Sequence, residues 1–124
     1  MEKLKNCDIV VVIEDIETIS GTGQLFEVIF TANDGAKYKF TFDSVWDFRC
    51  ATENAYIERG SKFSHEEREK SSILLIENSD YIKYFKEQSS GTRPVNTLKD
   101  YIIFDAIDTV VEVLTIKEPT LTRL

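Results

Sequence analysis

Asp43 to Gly60, DSVWDFRCATENAYIERG, is the stretch on which the fold reading turns. On a helical wheel at about 100° per residue, Val45, Phe48, Ala51, Thr52 and Ala55 form one stripe, and Trp46, Cys50 and Ile57 form a second on the far side. The spacing predicts a helix, with Asp43 or Ser44 as its cap, Asp47 three residues after Ser44, and Gly60 as its stop. A surface helix needs one apolar stripe. The second stripe therefore lies either under another layer of the same domain or against a partner, and Trp46 is either a core residue or a partner anchor.

Upstream, the β-branched run Asp8 to Glu14, DIVVVIE, predicts a strand buried on both faces, broken at Ser20-Gly21-Thr22-Gly23. Gln24 to Ala32 alternates with Phe26, Val28 and Phe30 on one face. Tyr38, Phe40 and Phe42 repeat that period after Asn33-Asp34-Gly35, which predicts a hairpin whose opposite face carries Lys37, Lys39 and Thr41. Downstream, Ser61 to Ser71 is charge-dense and reads as a solvated loop or a short extension of helix. Ser72 to Glu77 reads as a strand, and Asn78-Ser79-Asp80 opens a second helix reaching about Gln88. The stretch from Ser89 to Pro94 reads as a flexible loop. Leu98 to Asp105 and Thr109 to Ile116 follow as a hairpin, and Pro119 closes the ordered part. The order β-β-β-α-β-α-β-β implies one α+β domain over residues 1–124, a single mostly antiparallel sheet with helices packed on one face.

Charge and composition narrow the function. The 124 residues suffice for one domain burying roughly two-thirds of its unfolded surface without staples. With 22 acidic against 15 basic residues the net charge is -7, which repels phosphates and argues against nucleic-acid binding. No run approaches the roughly 20 apolar residues of a membrane helix, and no cleavage site follows the N-terminal lysines, so a cytoplasmic protein is expected. Cys7 and Cys50 lack CxxC spacing and read as reduced, buried thiols.

Chemistry is sparse. One histidine, His65, cannot build a triad or a multi-histidine metal site, and it reads as a surface residue. Gly21-Thr22-Gly23 lacks the lysine of a phosphate loop and reads as a turn. Asp105 and Asp108 read as hairpin supports, too few for a hard metal. Neither metal nor cofactor is expected. Arg49 and Arg59 flank the core stripe of the expected helix, where each could reach back to a strand-borne carboxylate; with no nucleophile or oxyanion device beside them, structural salt bridges account for them better than catalysis.

The runs Trp46-Asp47-Phe48-Arg49, Ala55-Tyr56-Ile57-Glu58-Arg59, Glu77 to Phe85, Tyr101 to Asp105 and Thr109 to Leu114 resemble a group of small uncharacterised acidic proteins of Bacillus-type bacteria. These in turn resemble immunity proteins that neutralise polymorphic toxins. That resemblance implies a non-enzymatic protein-binding module covering a basic toxin domain. Trp46, Asp47, Glu53 and Glu58 are the expected partner-binding residues, Trp46 as anchor and the acids as complement to a basic surface. The competing expectation is a small-molecule or peptide-binding domain using a concave sheet face lined by Phe26, Phe30, Tyr38 and Phe40.

Overall fold

A computed structural model describes residues 1–61, 63, 65–89 and 97–124, without the side chains of Glu58 and His65. Its elements run β1 (Lys3–Asn6), β2 (Ile13–Thr22), β3 (Leu25–Ala32), β4 (Lys37–Phe42), β5 (Val45–Thr52), a 3-10 turn (Glu53–Tyr56), α1 (Ile57–Gly60), α2 (His65–Lys70), β6 (Ile73–Glu77), α3 (Asp80–Gln88), β7 (Lys99–Phe104), β8 (Thr109–Thr115) and β9 (Thr120–Arg123). The strands form two antiparallel sheets, ordered β1-β6-β7-β8-β5 and β2-β3-β4-β9. The expected α+β fold with a single sheet of order β-β-β-α-β-α-β-β is therefore corrected: this is a mostly β molecule of two stacked sheets.

The correction centres on residues 43–60. Val45 to Thr52 pairs with β8 as an edge strand, and only its continuation turns, through the 3-10 segment into one turn of α1. Apolar residues on opposite sides of a helical wheel are what period-2 alternation produces when read at the wrong period. Phe48 leans inward, its ring 4.4 Å from that of Phe26. Arg49, directly opposite Glu112, lies on the outer face. A bulge between Val45 and Asp47 breaks the alternation, so that Trp46 and Asp47 both reach α3, Trp46 with its ring 6.0 Å from Phe85 and Asp47 through the Tyr81 hydroxyl.

The core fills the space between the sheets. Phe26, Val28, Phe30, Phe40 and Phe42 of one sheet meet Ile73, Tyr101, Ile103, Val111 and Val113 of the other. Each is nearly or fully buried, as alternation along paired strands requires of an inner face. The outer face of the four-stranded sheet is polar and cross-paired, Lys37 with Glu17 at 3.2 Å and Lys39 with Glu27 at 3.0 Å.

Residues 8–12 are not in either ladder. This stretch carries the chain between the sheets, with Ile9 and Val11 packed on the core, and Ser71 and Ser72 satisfy its backbone. Ser72 N–H donates to Val11 O at 2.7 Å, and Ile13 N–H donates to the Ser72 hydroxyl at 2.9 Å. The strand expected at Asp8 to Glu14 thus begins at Ile13 and continues to Thr22, with Gly23 in the turn at positive φ. Pro119 does not end the ordered chain, because β9 follows and pairs with β4. Cys7 is half-buried and Cys50 is exposed, against the expectation that both are buried. The loop expected between Ser89 and Pro94 falls mainly outside the described residues.

Candidate functional site

The outer face of the five-stranded sheet carries two charged residues inside apolar runs, Asp100 of β7 and Glu112 of β8, both 0% exposed. In register, Ile102 lies opposite Glu112 and Leu114 opposite Asp100, so the two carboxyls are diagonal neighbours on one face. The segment 45–60 folds over them and brings two arginines. Arg49 Nε and Nη2 donate to Glu112 Oε1 at 3.1 and 2.8 Å. Arg59 Nη1 donates to the same oxygen at 2.5 Å and Nη2 to Oε2 at 3.0 Å. The other edge of the Arg59 fork binds Glu2, Nε to Oε1 at 2.9 Å and Nη2 to Oε2 at 2.7 Å. Two planar forks sharing one carboxylate give directional bonds that lysines could not.

Tyrosines close the cluster. The Tyr56 hydroxyl donates to Glu112 Oε1 at 3.4 Å, and the Tyr81 hydroxyl donates to Asp47 Oδ2 at 2.8 Å while its ring lies 4.0 Å from the Arg49 guanidinium. The Ser79 hydroxyl donates to Asp100 Oδ2 at 2.5 Å and accepts from Ile82 N–H as the cap of α3. Burial, the Glu112 hydrogen bond and the Glu112 charge push the Asp100 carboxyl well above the ordinary aspartate range. For Glu112, burial opposes the charge, but the Asp100 hydrogen bond and the two guanidinium groups outweigh it and hold the carboxyl below its usual range. Asp100 is accordingly the member of the pair that holds its proton to higher pH. Its Oδ1 has no hydrogen-bond partner among the described residues, while Oδ2 faces the Ser79 hydroxyl and, at 3.8 Å, Arg59 Nη2.

A carboxyl pair with divergent affinities for a proton is the raw material of acid-base chemistry. Here neither member lines either of the two cavities that flank the segment 53–60. The pair lies beneath Arg59, Tyr56 and Tyr81, and its bonds join β7 and β8 to β5, the 3-10 turn, α1 and the cap of α3, with Arg59 carrying the link on to Glu2 just ahead of β1. Its geometry is that of a clamp.

Two cavities flank the segment 53–60. One, of about 530 Å³, is lined by Glu2, Arg49, Ala55, Arg59, Asp80, Tyr81 and Tyr84. The other is a groove of about 600 Å³ whose floor is Leu4, Phe63, Ile102, Phe104 and Val110, and whose rim includes the exposed Ile57 together with Glu53, Glu69, Asp105 and Asp108, with Arg68 also lining it. Asp105 is committed to structure: Oδ1 accepts from Ile107, Asp108 and Thr109 N–H, and Oδ2 from Ile16 N–H at 2.9 Å. Arg68 is held to the Phe63 carbonyl. Asp108 Oδ1 accepts Glu53 N–H at 3.0 Å, whereas the Glu53 and Glu69 carboxylates are in no ion pair among the described residues.

The expected partner residues are thus dispersed along one ribbon rather than aligned on one helix. Trp46 and Asp47 sit at the α3 end, Asp47 held by Tyr81, and Glu53 lies on the groove rim. Glu58 belongs to α1, its side chain outside the described part. The ring face expected to bind a ligand is filled: Phe26, Phe30 and Phe40 are 0% exposed between the sheets, and neither cavity is lined by them or by Tyr38. The arginines do reach a strand-borne carboxylate, as expected. Asp100 and Glu112 were missed, although a lone acid inside KDYIIF and inside TVVEVLT is the signal that finds them. Among the described residues no three metal-ligating side chains gather, and no helix is long and apolar enough to cross a membrane. Compared with family models, with curated proteins and with solved structures, the chain matches none.

Proposed function

We propose that this protein is a non-enzymatic protein-binding module that holds a basic segment of another protein in the groove between the 53–60 segment and the outer face of β7 and β8. One observation carries the reading: an apolar floor of several side chains bordered by Glu53 and Glu69, carboxylates in no ion pair among the described residues. An apolar floor supplies the area that drives association, and like charges on the rim select a partner of opposite sign. The net charge of -7 extends the preference beyond the rim. Its motifs resemble those of small uncharacterised acidic proteins, which in turn resemble toxin-neutralising immunity proteins in size and acidity; that likeness supports a basic toxin domain as the partner and an immunity role for this protein.

Co-expression with a basic toxin domain encoded beside this chain tests the reading. Rescue of growth and a copurifying complex are expected. Glu53→Lys with Glu69→Lys should weaken that complex by at least about tenfold, with most of the loss disappearing at high salt. Absence of both rescue and complex removes the immunity role. A complex insensitive to the two charge reversals removes the groove.

A further inference from the structure

The five-stranded sheet ends at β5, and no strand lies beyond it among the described residues. The other three sheet edges carry the features that discourage strand addition. β1 is four residues long with Lys3 and Lys5; β9 is four residues long, follows Pro119 and carries Arg123; β2 is interrupted twice and carries Glu14, Asp15 and Glu17. β5 contains neither lysine nor proline. Its single bulge is at Trp46, so residues 47–52 stay in regular register with β8.

The hydrogen-bond alternation shows which peptide groups this edge presents. Asp105 N–H donates to Thr109 O at 3.2 Å, and Glu53 N–H donates to Asp108 O at 2.9 Å. Continued along the two registers, these bonds turn Val111 and Val113 toward β7, and Val110 and Glu112 toward β5. Arg49 and Ala51 therefore face β8, whereas Phe48, Cys50 and Thr52 direct their N–H and C=O groups outward. Phe48 is also 41% exposed, an apolar ring at the open end of the core.

We propose that this edge pairs antiparallel with the same edge of a second copy about a two-fold axis at Phe48, joining two five-stranded sheets. Charge selects the register. An axis at Phe48 sets Asp47 opposite Arg49 of the second copy, twice over, on the outer face. An axis at Arg49 would oppose two arginines, and one at Cys50 would set Asp47 against Glu53. One at Ala51 would set Arg49 against Glu53, which lies past the end of β5 in the 3-10 turn, so that only the Phe48 axis opposes unlike charges within the strand. Because the regular stretch is short, the dimer is one that dissociates on dilution. The inference is independent of the groove.

Sedimentation and light scattering from micromolar to millimolar protein, under reducing conditions, test it. A concentration-dependent dimer is expected, with isotope-filtered contacts between the Asp47 Hα and the Arg49 Hα of the other copy. Phe48→Lys should abolish the dimer, with changes in the monomer's backbone spectrum confined to the neighbours of its ring around Phe26 and Gly21. A monomer at every concentration overturns the proposal, as does a dimer indifferent to Phe48→Lys or one whose intermolecular Hα contacts centre on Cys50. Slow amide exchange of Phe48, Cys50 and Thr52 in the dilute monomer would also overturn it, since the chain itself would then cover the edge.

Discussion

Glu112 is a charge in the middle of TVVEVLT, and its cost is offset because four residues from distant parts of the chain, Arg49, Tyr56, Arg59 and Ser79, converge on it and on its neighbour Asp100. Such a cluster adds less to stability than its bond count suggests, because desolvation consumes much of the attraction. It does tie the segment 49–59 to β8 through directional bonds from both arginine forks. The two carboxyls also respond to pH in opposite senses. Glu112, depressed in the folded state, contributes stability that is present above the ordinary glutamate range and lost as pH falls through its lower folded value. Asp100, raised in the folded state, binds its proton more tightly folded than unfolded, so stability declines as pH rises from the ordinary aspartate range to its folded value. Asp100→Asn keeps a neutral group that can accept from Ser79 and donate to Glu112. Denaturation midpoints measured across the weakly acidic to neutral range should show a decline with pH in the wild type that is flattened in this variant.

Among the elements, the hairpin of β7 and β8 depends on Asp105, whose carboxylate caps three turn N–H groups and, through Ile16 N–H, ties the hairpin to β2 of the other sheet. Asp105→Ala should cost about 2 kcal/mol or more by urea denaturation, because the Ile16 donor is left without its partner. Asp105→Asn should recover part of this, since one oxygen remains to accept. This hairpin was readable in the sequence, because turn chemistry and β-branched runs are local properties. So was α3, opened by Asn78-Ser79-Asp80, and the Phe-rich hairpin of β3 and β4. The reading of β5 failed for a nonlocal reason. Its apolar residues serve three different surroundings, with Val45 in the core, Phe48 at its open end and Trp46 against α3, and the bulge erased the alternation that would have announced a strand. The groove was legible only through Glu53, because its floor is assembled from β1, β7, β8 and Phe63, which no periodicity brings together.

At the scale of the whole molecule, the sandwich is closed by contacts between remote parts of the chain. β1 pairs with β6, matching Lys3 to Glu77, and β5 pairs with β8, matching Thr52 to Thr109. Such pairings must close long loops before they gain any burial, so stopped-flow refolding should fall in the range of milliseconds to seconds rather than microseconds. The single tryptophan gives this molecule an unusual optical property. Trp46 is held at the seam between β5 and α3, with Phe85 as its ring neighbour, away from the phenylalanine core between the sheets. Selectively excited emission therefore reports the undocking of that one helix, whereas far-ultraviolet dichroism follows the strands. Two melting curves that separate would reveal α3 leaving first, and two that coincide would mean that the helix and the sandwich unfold as one unit.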